Sequence, residues 1–107
     1  MKTYCFFDVR TVIDPDKLLA YRKGVLATVR AHGGRYLFVG GSTELLEGAW
    51  KPTVPVLIEF PTLELAKAWY SSAEYAPLKA LRLAGSQGDA VIIESAPSEL
   101  VEAAASG

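Results

Sequence analysis

The stretch from Val54 to Tyr75 constrains the fold of this chain more than any other segment. Residues 54–60 alternate between two faces, with branched or aromatic side chains at every second position, which predicts a β-strand. Pro61–Thr62 then ends the strand and begins a helix. The segment therefore predicts a β-to-α unit that carries one carboxylate, Glu59, in an otherwise apolar strand.

Helix caps and glycines set the bounds of the other elements. Asp14–Pro15 is a strong helix start, because Asp accepts hydrogen bonds from free amides and Pro suits the first helical position. Gly33 supplies the left-handed residue that ends a helix, while Gly40–Gly41 predicts a bulge or bend. The predicted elements are strands at Tyr4–Val9, Arg35–Val39, Thr43–Glu47, Val54–Phe60 and Ala90–Glu94, helices at 14–33, 63–70 and 73–83, and a turn at Gly85–Asp89.

The order β-α-β-β-α-β predicts a ferredoxin-like α+β fold: a four-stranded antiparallel sheet with both helices on one face. Residues 1–95 would form this single domain, and residues 96–107, small and Ala-rich, a flexible C-terminal tail. We expect strands one and three to be the central pair and to run parallel to each other.

The sheet face opposite the helices is too apolar to remain in water. It would carry Tyr4, Phe6, Leu57 and either Val39 or Phe38. A second copy of the chain is the simplest cover, so we expect a homodimer with two sheets face to face, as a dimeric α/β barrel.

Composition excludes several classes of protein. The net charge is −1, with 11 basic and 12 acidic residues interspersed, so no basic stripe predicts nucleic-acid binding. No apolar stretch approaches the roughly 20 residues that span a bilayer. The N-terminus leads directly into a strand pattern, so we expect no signal peptide. Cys5 stands alone, which fits a reducing cytoplasm, and one Cys with one His cannot complete a zinc site. We expect no metal and no cofactor.

Several motifs recur here in an order typical of one family. They are Ala31-His32-Gly33-Gly34-Arg35-Tyr36-Leu37, Leu46-Glu47-Gly48-Ala49-Trp50, Ile58-Glu59-Phe60-Pro61-Thr62, Ala68-Trp69-Tyr70-Ser71-Ser72-Ala73-Glu74-Tyr75, and Leu78-Lys79 with Arg82. In that order and spacing the chain resembles the DUF1330 family of small bacterial proteins over about residues 3–95.

The resemblance implies a dimeric α/β-barrel protein of ferredoxin-like fold, a homodimer whose two sheets enclose a cavity. It implies no activity, because the function of that family is not established. Relatives by fold include monooxygenases without metals, haem-degrading enzymes and lactone isomerases, and such analogy is associational.

Asp8 and Glu59 are the first candidates for catalysis, because each is a carboxylate in an apolar strand. On parallel neighbouring strands both would lie near the same edge, on the face opposite the helices. Two carboxylates in a partly dry cavity would raise one pKa, which suits general acid–base catalysis. Alternatively, each pairs with a cation such as Arg10, Arg35 or Arg82, or lies in water at the rim of the sheet.

His32, the only histidine, is a third catalytic candidate because it titrates near neutral pH and adjoins Gly33–Gly34. The favoured alternative is a role at the helix C-terminus, where its partial positive charge complements the dipole.

Four further residues are candidates for substrate binding. Arg35, Tyr36 and Arg82 could hold an anion, since an Arg fork suits a carboxylate, although surface charge is the commoner fate of Arg. Trp50, in the loop before the third strand, would be a dimer contact or a pocket lid.

Three functions remain open on the sequence. The first is a cofactor-independent monooxygenase or isomerase acting on a small hydrophobic or anionic molecule. The second is a module that binds such a molecule without turnover. The third is a structural homodimer whose interior is filled by side chains.

Overall fold

The chain forms four strands and four helices in a computed structural model that describes residues 1–106. The elements are β1 (Thr3–Val12), α1 (Pro15–Ala31), β2 (Arg35–Val39), β3 (Pro55–Phe60), α2 (Leu63–Tyr70), α3 (Ala76–Gly85), β4 (Ser86–Glu94) and α4 (Ser98–Ser106). The strands form one antiparallel sheet in the order β2-β3-β1-β4. The predicted ferredoxin-like α+β fold is confirmed.

The helix caps act as the sequence predicts. The Asp14 carboxylate accepts hydrogen bonds from the amides of Asp16 and Lys17, at 3.1 and 3.3 Å. The Thr62 hydroxyl accepts one from the Leu65 amide at 3.1 Å. Gly33 adopts φ +78° just after the last turn of α1, a conformation that side chains rarely adopt. Each cap satisfies backbone groups that a helix end leaves free.

The two central strands, β1 and β3, are neighbours but run antiparallel, so the expectation that they are parallel is wrong. Helix α1 returns the chain, and the β2–β3 connection then reverses it once more. Along this pair Asp8 lies opposite Pro55, whereas Glu59 lies opposite Tyr4. The C-terminal end of β1 therefore lies beside the N-terminal end of β3, and the two C-terminal ends lie at opposite ends of the strand pair.

The loop between β2 and β3 departs from the prediction. Residues 40–54 contain no strand, so the short strand expected at Thr43–Glu47 is wrong. Gly40 and Gly41, at φ +70° and +105°, end β2 instead of forming a bulge inside it. The irregularity in β2 lies earlier, between Tyr36 and Phe38.

The C-terminal third is more regular than expected. Helix α3 ends at Gly85 and β4 begins at Ser86, so the turn predicted at Gly85–Asp89 is wrong. The carbonyl of Gly85 accepts hydrogen bonds from the Ile13 and Asp14 amides, which fixes this junction without a turn. The segment expected to be a frayed tail is helical over Ser98–Ser106, with every residue of that helix exposed.

The hydrophobic core lies between the helices and one face of the sheet, around Trp69. The Trp69 side chain is fully buried and packs against the rings of Phe60 and Tyr75, with centroids 5.4 and 4.3 Å away. Its indole N–H donates to the buried Thr28 hydroxyl at 3.0 Å. This bond satisfies a polar group that would otherwise be buried unpaired.

The described residues cover the opposite face of the sheet only in part, where Trp50 packs on Phe6. Phe38, Leu57, Phe6 and Val91 lie in register across all four strands, and Phe38 and Val91 are 42% and 50% exposed. Of the two alternatives for β2, Phe38 is the residue on this face. We call this row of four side chains the bare face.

Candidate functional site

A cavity of about 220 Å³ lies between the sheet and the helices α1 and α3, at the β2 side of the sheet. Four polar side chains from three elements reach it: Tyr21 and Arg22 from α1, Tyr36 from β2 and Arg82 from α3. The rest of its wall is apolar, formed by Phe7, Val9, Leu18, Val39, Val54, Val56 and Ile58. An apolar cavity with a few convergent polar groups is the usual form of a small-molecule site.

Arg82 is the principal charge at this cavity. Its guanidinium lies 5.0 Å from the centre of the Phe7 ring, where a cation is attracted to the ring face. Nε donates to the Tyr75 hydroxyl at 3.3 Å, and Nη2 donates to the Tyr70 hydroxyl at 3.2 Å. These contacts hold the planar group in one orientation at the wall of the cavity.

A third phenol, Tyr21, extends this arrangement toward the cavity. The hydroxyls of Tyr75 and Tyr21 are 2.9 Å apart, and their rings meet edge to face. Tyr75 is fully buried, whereas Tyr21 is half-buried and lines the cavity. We call Tyr21, Tyr70, Tyr75 and Arg82 the arginine–tyrosine cluster.

The electrostatics of the cavity favour neutral phenols beside a charged guanidinium. Burial, and then the nearby Tyr75 hydroxyl, raise the pKa of Tyr21 above its usual range, and burial with Tyr75 raises the pKa of Tyr36 to about 12. Burial alone would lower the pKa of Arg82, but Tyr75, Tyr21 and Tyr70 raise it, and the net direction is upward. At neutral pH the cavity therefore presents hydroxyl donors, the oriented positive charge of Arg82 and the exposed charge of Arg22.

A more polar groove lies on the other side of Arg82, near the end of β1. Asp8 and Ser86 line it, together with Arg10 and Asp89, which form an exposed ion pair. Surface pairs of this kind contribute little to stability. Arg82 thus separates an apolar cavity from an open polar groove.

The Asp8 carboxylate is buried and supports the loop before β3. Its Oδ1 accepts hydrogen bonds from the amides of Thr53 and Val54, both at 2.9 Å. The register places Asp8 four residues along the strand from the position opposite Glu59, roughly 13 Å at the usual rise of a strand. The expectation that Asp8 and Glu59 share one site is therefore wrong.

Glu59 instead lies among cations, at the other end of the β1–β3 pair from Asp8. Its Oε1 accepts a hydrogen bond from Arg35 Nε at 2.9 Å and lies 3.5 Å from Lys2 Nζ. The hydrogen bond from Arg35 lowers the pKa of Glu59, and partial burial opposes that shift. Arg35, a candidate for holding an anionic substrate, is engaged by this carboxylate and does not line the cavity.

His32 and Trp50 also lie away from the cavity. His32 ends α1, and its Nδ1 lies 2.9 Å from the Thr28 carbonyl. A carbonyl only accepts, so Nδ1 carries the proton in this arrangement. Trp50 is 65% exposed and packs edge to face on Phe6, which places it beside the bare face.

Tyr36 and Arg82, which the sequence indicates as binding residues, both line the cavity. The sequence does not indicate Tyr21 and Tyr75 as polar residues of the site. Tyr21 occurs at helical spacing among apolar residues, which predicts a core position and hides the role of its hydroxyl. Tyr75 precedes Arg82 by seven residues, two turns of helix, so both lie on one face. That spacing was the available signal.

The described residues form neither a metal site nor a membrane-spanning helix. No group of three His, Cys, Asp or Glu side chains among residues 1–106 could hold a metal ion. No helix within that range combines the length and apolar character needed to cross a membrane.

The family description that matches the chain is "Domain of unknown function (DUF1330)", over residues 2–96. No curated protein matches the chain significantly. Among solved structures, a protein of unknown function from Rhodopseudomonas palustris is similar at 16% identity and TM-score 0.69, with 90% of this chain and 83% of that chain covered.

Two further solved structures share the fold. A dimeric ferredoxin-like protein of unknown function from Jannaschia sp. CCS1 has 10% identity and TM-score 0.67, covering 89% of this chain and all (100%) of that one. SnoaB, a cofactor-independent oxygenase from Streptomyces nogalater, has 13% identity and TM-score 0.52, covering 90% and 92%. At these identities the likeness shows the fold alone.

Proposed function

The chain belongs to the DUF1330 family, and on that premise we propose that it binds a small, single-ring organic anion. The apolar body of the ligand occupies the cavity between the sheet and α1, and its carboxylate lies against Arg82. The observation that carries the proposal is a guanidinium, held by phenols and an aromatic ring, at the wall of an otherwise apolar cavity.

The donors of Arg82 support this assignment. A guanidinium has five N–H groups, and two of them donate to Tyr75 and Tyr70. Within residues 1–106 the remaining N–H groups have no acceptor among the side-chain hydrogen bonds. A carboxylate accepts two such bonds in parallel, and each is stronger than a bond between neutral groups.

The volume of the cavity limits the size of the ligand. An apolar cavity of roughly 150 Å³ holds benzene, so about 220 Å³ accommodates one ring with a short acidic substituent. Two fused rings would need some movement of the wall.

Binding of benzoate and phenylacetate, followed by calorimetry and thermal shift, tests the proposal. We expect both to bind and to raise the melting temperature, and benzamide, which lacks the charge, to bind more weakly. Arg82→Gln should weaken carboxylate binding roughly ten- to a hundredfold, the range for a charged hydrogen bond, and should remove the preference over benzamide.

Arg22→Gln is the matched control, because Arg22 is an exposed arginine on the same cavity. We expect that variant to keep most of the affinity. Val56→Phe, which fills the cavity from β3, should abolish binding of acid and amide alike. Affinity that survives Val56→Phe would place the ligand elsewhere and contradict the proposal.

Cofactor-independent oxygenation or isomerisation of the bound acid is a second candidate. It is supported by the arginine–tyrosine cluster, whose donors would stabilise negative charge developing on a ligand oxygen, and by the activity named for SnoaB, which shares the fold. Asp8, Glu59 and His32, the catalytic candidates from sequence, do not line this cavity.

Turnover of a single-ring acid without added cofactor, measured as oxygen uptake or a change in absorbance, tests this candidate. Arg82→Gln should abolish it, and Glu59→Gln should leave it intact. Loss of turnover in Glu59→Gln, with turnover retained in Arg82→Gln, would instead assign catalysis to Glu59.

We also propose that the working form is a homodimer in a reducing cytoplasm. The bare face supports the dimer, since four apolar side chains in one row are costly to leave in water. The Jannaschia protein of the same fold is described as dimeric. Trp50, beside that row, would contact the partner.

A further inference from the structure

The hydrogen atoms of the arginine–tyrosine cluster can be assigned from what each group can donate. Arg82 Nε only donates, so the Tyr75 oxygen accepts that bond. The contact between Tyr75 and Tyr21 leaves either hydroxyl as the donor. Tyr75 is fully buried, and its oxygen has no other side-chain partner among residues 1–106.

Burial decides the direction of the contact between the two hydroxyls. If Tyr21 donated to Tyr75, the hydrogen of Tyr75 would be buried without an acceptor, which proteins avoid. If Tyr75 donates to Tyr21, every group of Tyr75 is satisfied. The hydrogen of Tyr21 then has no acceptor within the described residues, and the side chain that carries it lines the cavity.

The bonds therefore run in one direction, from Arg82 through Tyr75 to Tyr21. Hydrogen bonds in such a chain polarise one another, so the charge of Arg82 strengthens Tyr21 as a donor. Arg82 Nε and the Tyr21 oxygen are both bonded to the Tyr75 oxygen, at 3.3 and 2.9 Å. They lie no farther apart than about 6 Å. The terminal nitrogens of the same guanidinium keep free N–H groups, so these and the Tyr21 hydroxyl can reach neighbouring oxygens on one small ligand.

We propose that Tyr21 is a specificity-determining donor, and that the preferred ligand is an aryl 2-oxo acid. Its carboxylate lies on Arg82, its adjacent carbonyl accepts the Tyr21 O–H, and its ring lies in the apolar part of the cavity. This inference rests on the proposed function, since it requires the same cavity. It adds a second polar contact that a plain carboxylate does not make.

Benzoylformate and phenylacetate form a matched pair, because they differ only in a carbonyl where the other has a methylene. We expect the wild-type protein to bind benzoylformate about five- to tenfold more tightly, the contribution of one neutral hydrogen bond. Tyr21→Phe should bring the two affinities together by weakening benzoylformate alone. Tyr70→Phe is the comparison variant, since Tyr70 accepts from Arg82 but is not part of the chain of bonds to Tyr21: it should change the two affinities alike and keep the preference for benzoylformate.

The outcomes separate this inference from the proposed function. If neither acid binds, the proposed function fails. If both bind equally to the wild-type protein, only the inference fails, and this comparison needs no variant to fold. A preference that survives Tyr21→Phe but disappears in Tyr36→Phe would assign the donor to Tyr36 and overturn the role of Tyr21.

Discussion

At the scale of single residues, buried polar side chains of this fold are hydrogen-bonded to partners in their own helix or in distant elements. No buried side-chain nitrogen or oxygen in the described range lacks a hydrogen-bond partner. Thr28 is an example with two partners: its hydroxyl donates to the Val25 carbonyl at 2.7 Å and accepts from the Trp69 indole N–H. One hydroxyl thus joins α1 to the centre of the core.

Thr28→Val should destabilise the protein, because it leaves the Trp69 indole N–H buried without an acceptor. The expected loss is about 1–3 kcal/mol in the free energy of unfolding, measured by urea denaturation. Thr28→Ser keeps the hydroxyl and should lose clearly less. A loss in Thr28→Ser without a loss in Thr28→Val would show that the methyl group, not the hydrogen bond, matters at this position.

Glu59 predicts an acid-dependent component of stability. Its pKa is lowered in the folded state, first by the Arg35 hydrogen bond, so its contribution is present above the unfolded pKa and is lost as pH falls through the folded pKa. Between about pH 5 and pH 2, wild type should therefore lose more stability than Glu59→Gln.

Urea midpoints measured across that pH range test the expectation for Glu59. Its partners are exposed, so screening keeps the effect modest. Glu47→Gln, at an exposed loop carboxylate, should follow the wild-type curve. If the urea midpoint of Glu59→Gln falls with pH as steeply as that of the wild type, the pH dependence belongs to other groups.

At the scale of elements, periodicity and caps sufficed for most helices and strands, but not for their directions. Alternation places Glu59 on a face of β3 and Asp8 on a face of β1 without saying which ends of the strands meet. The direction of β3 depends on the reversal through the loop at 40–54, a long-range property. The pairing of Asp8 with Glu59 failed for this reason, whereas Arg82 and Tyr36 did reach one cavity.

Glycines at two element contacts allow a matched test of close packing. A Cβ on Gly34 would lie 2.6 Å from the Phe60 ring and 2.8 Å from Val29, whereas a Cβ on Gly24 would lie 3.0 Å from the flexible end of Leu78. Gly24 thus lets α1 approach α3 and not the sheet. Gly34→Ala should cost roughly 1–3 kcal/mol through displacement of core side chains.

Gly24→Ala should cost clearly less than Gly34→Ala, because Leu78 can move and alanine favours the helix by about 1 kcal/mol. Thermal and urea unfolding of both variants measure the difference. Equal losses would mean that the side chains around Phe60 move as readily as the partly buried Leu78.

At the scale of the whole molecule, the helices of the core cover one face of the sheet, and within residues 1–106 the other face is only partly covered, by Trp50. The smallest dimension is 16 Å, about the depth of a helix packed on a sheet. Neither the partner nor the cavity follows from alternation alone. Alternation predicts which side chains face outward, whereas the cavity depends on how far α1 and α3 stand from β2.

Sedimentation equilibrium at micromolar concentration should show a dimer for the wild-type protein. Val91→Lys places a charge in the bare face and should give a folded monomer. Leu19→Lys on α1 is the matched control, because Leu19 and Val91 are 51% and 50% exposed, and it should remain dimeric. A wild-type monomer, or a dimer that persists in Val91→Lys, would contradict the interface.

Strand β1 serves two surfaces through its alternation. Phe7 points to the cavity and to Arg82, while its neighbour Phe6 belongs to the bare face and contacts Trp50. Adjacent positions in one strand therefore face separate surfaces. Under the proposed function, a substitution at Phe7 or Val9 would change the cavity that binds the ligand, whereas one at Phe6 would change the face proposed to meet the partner.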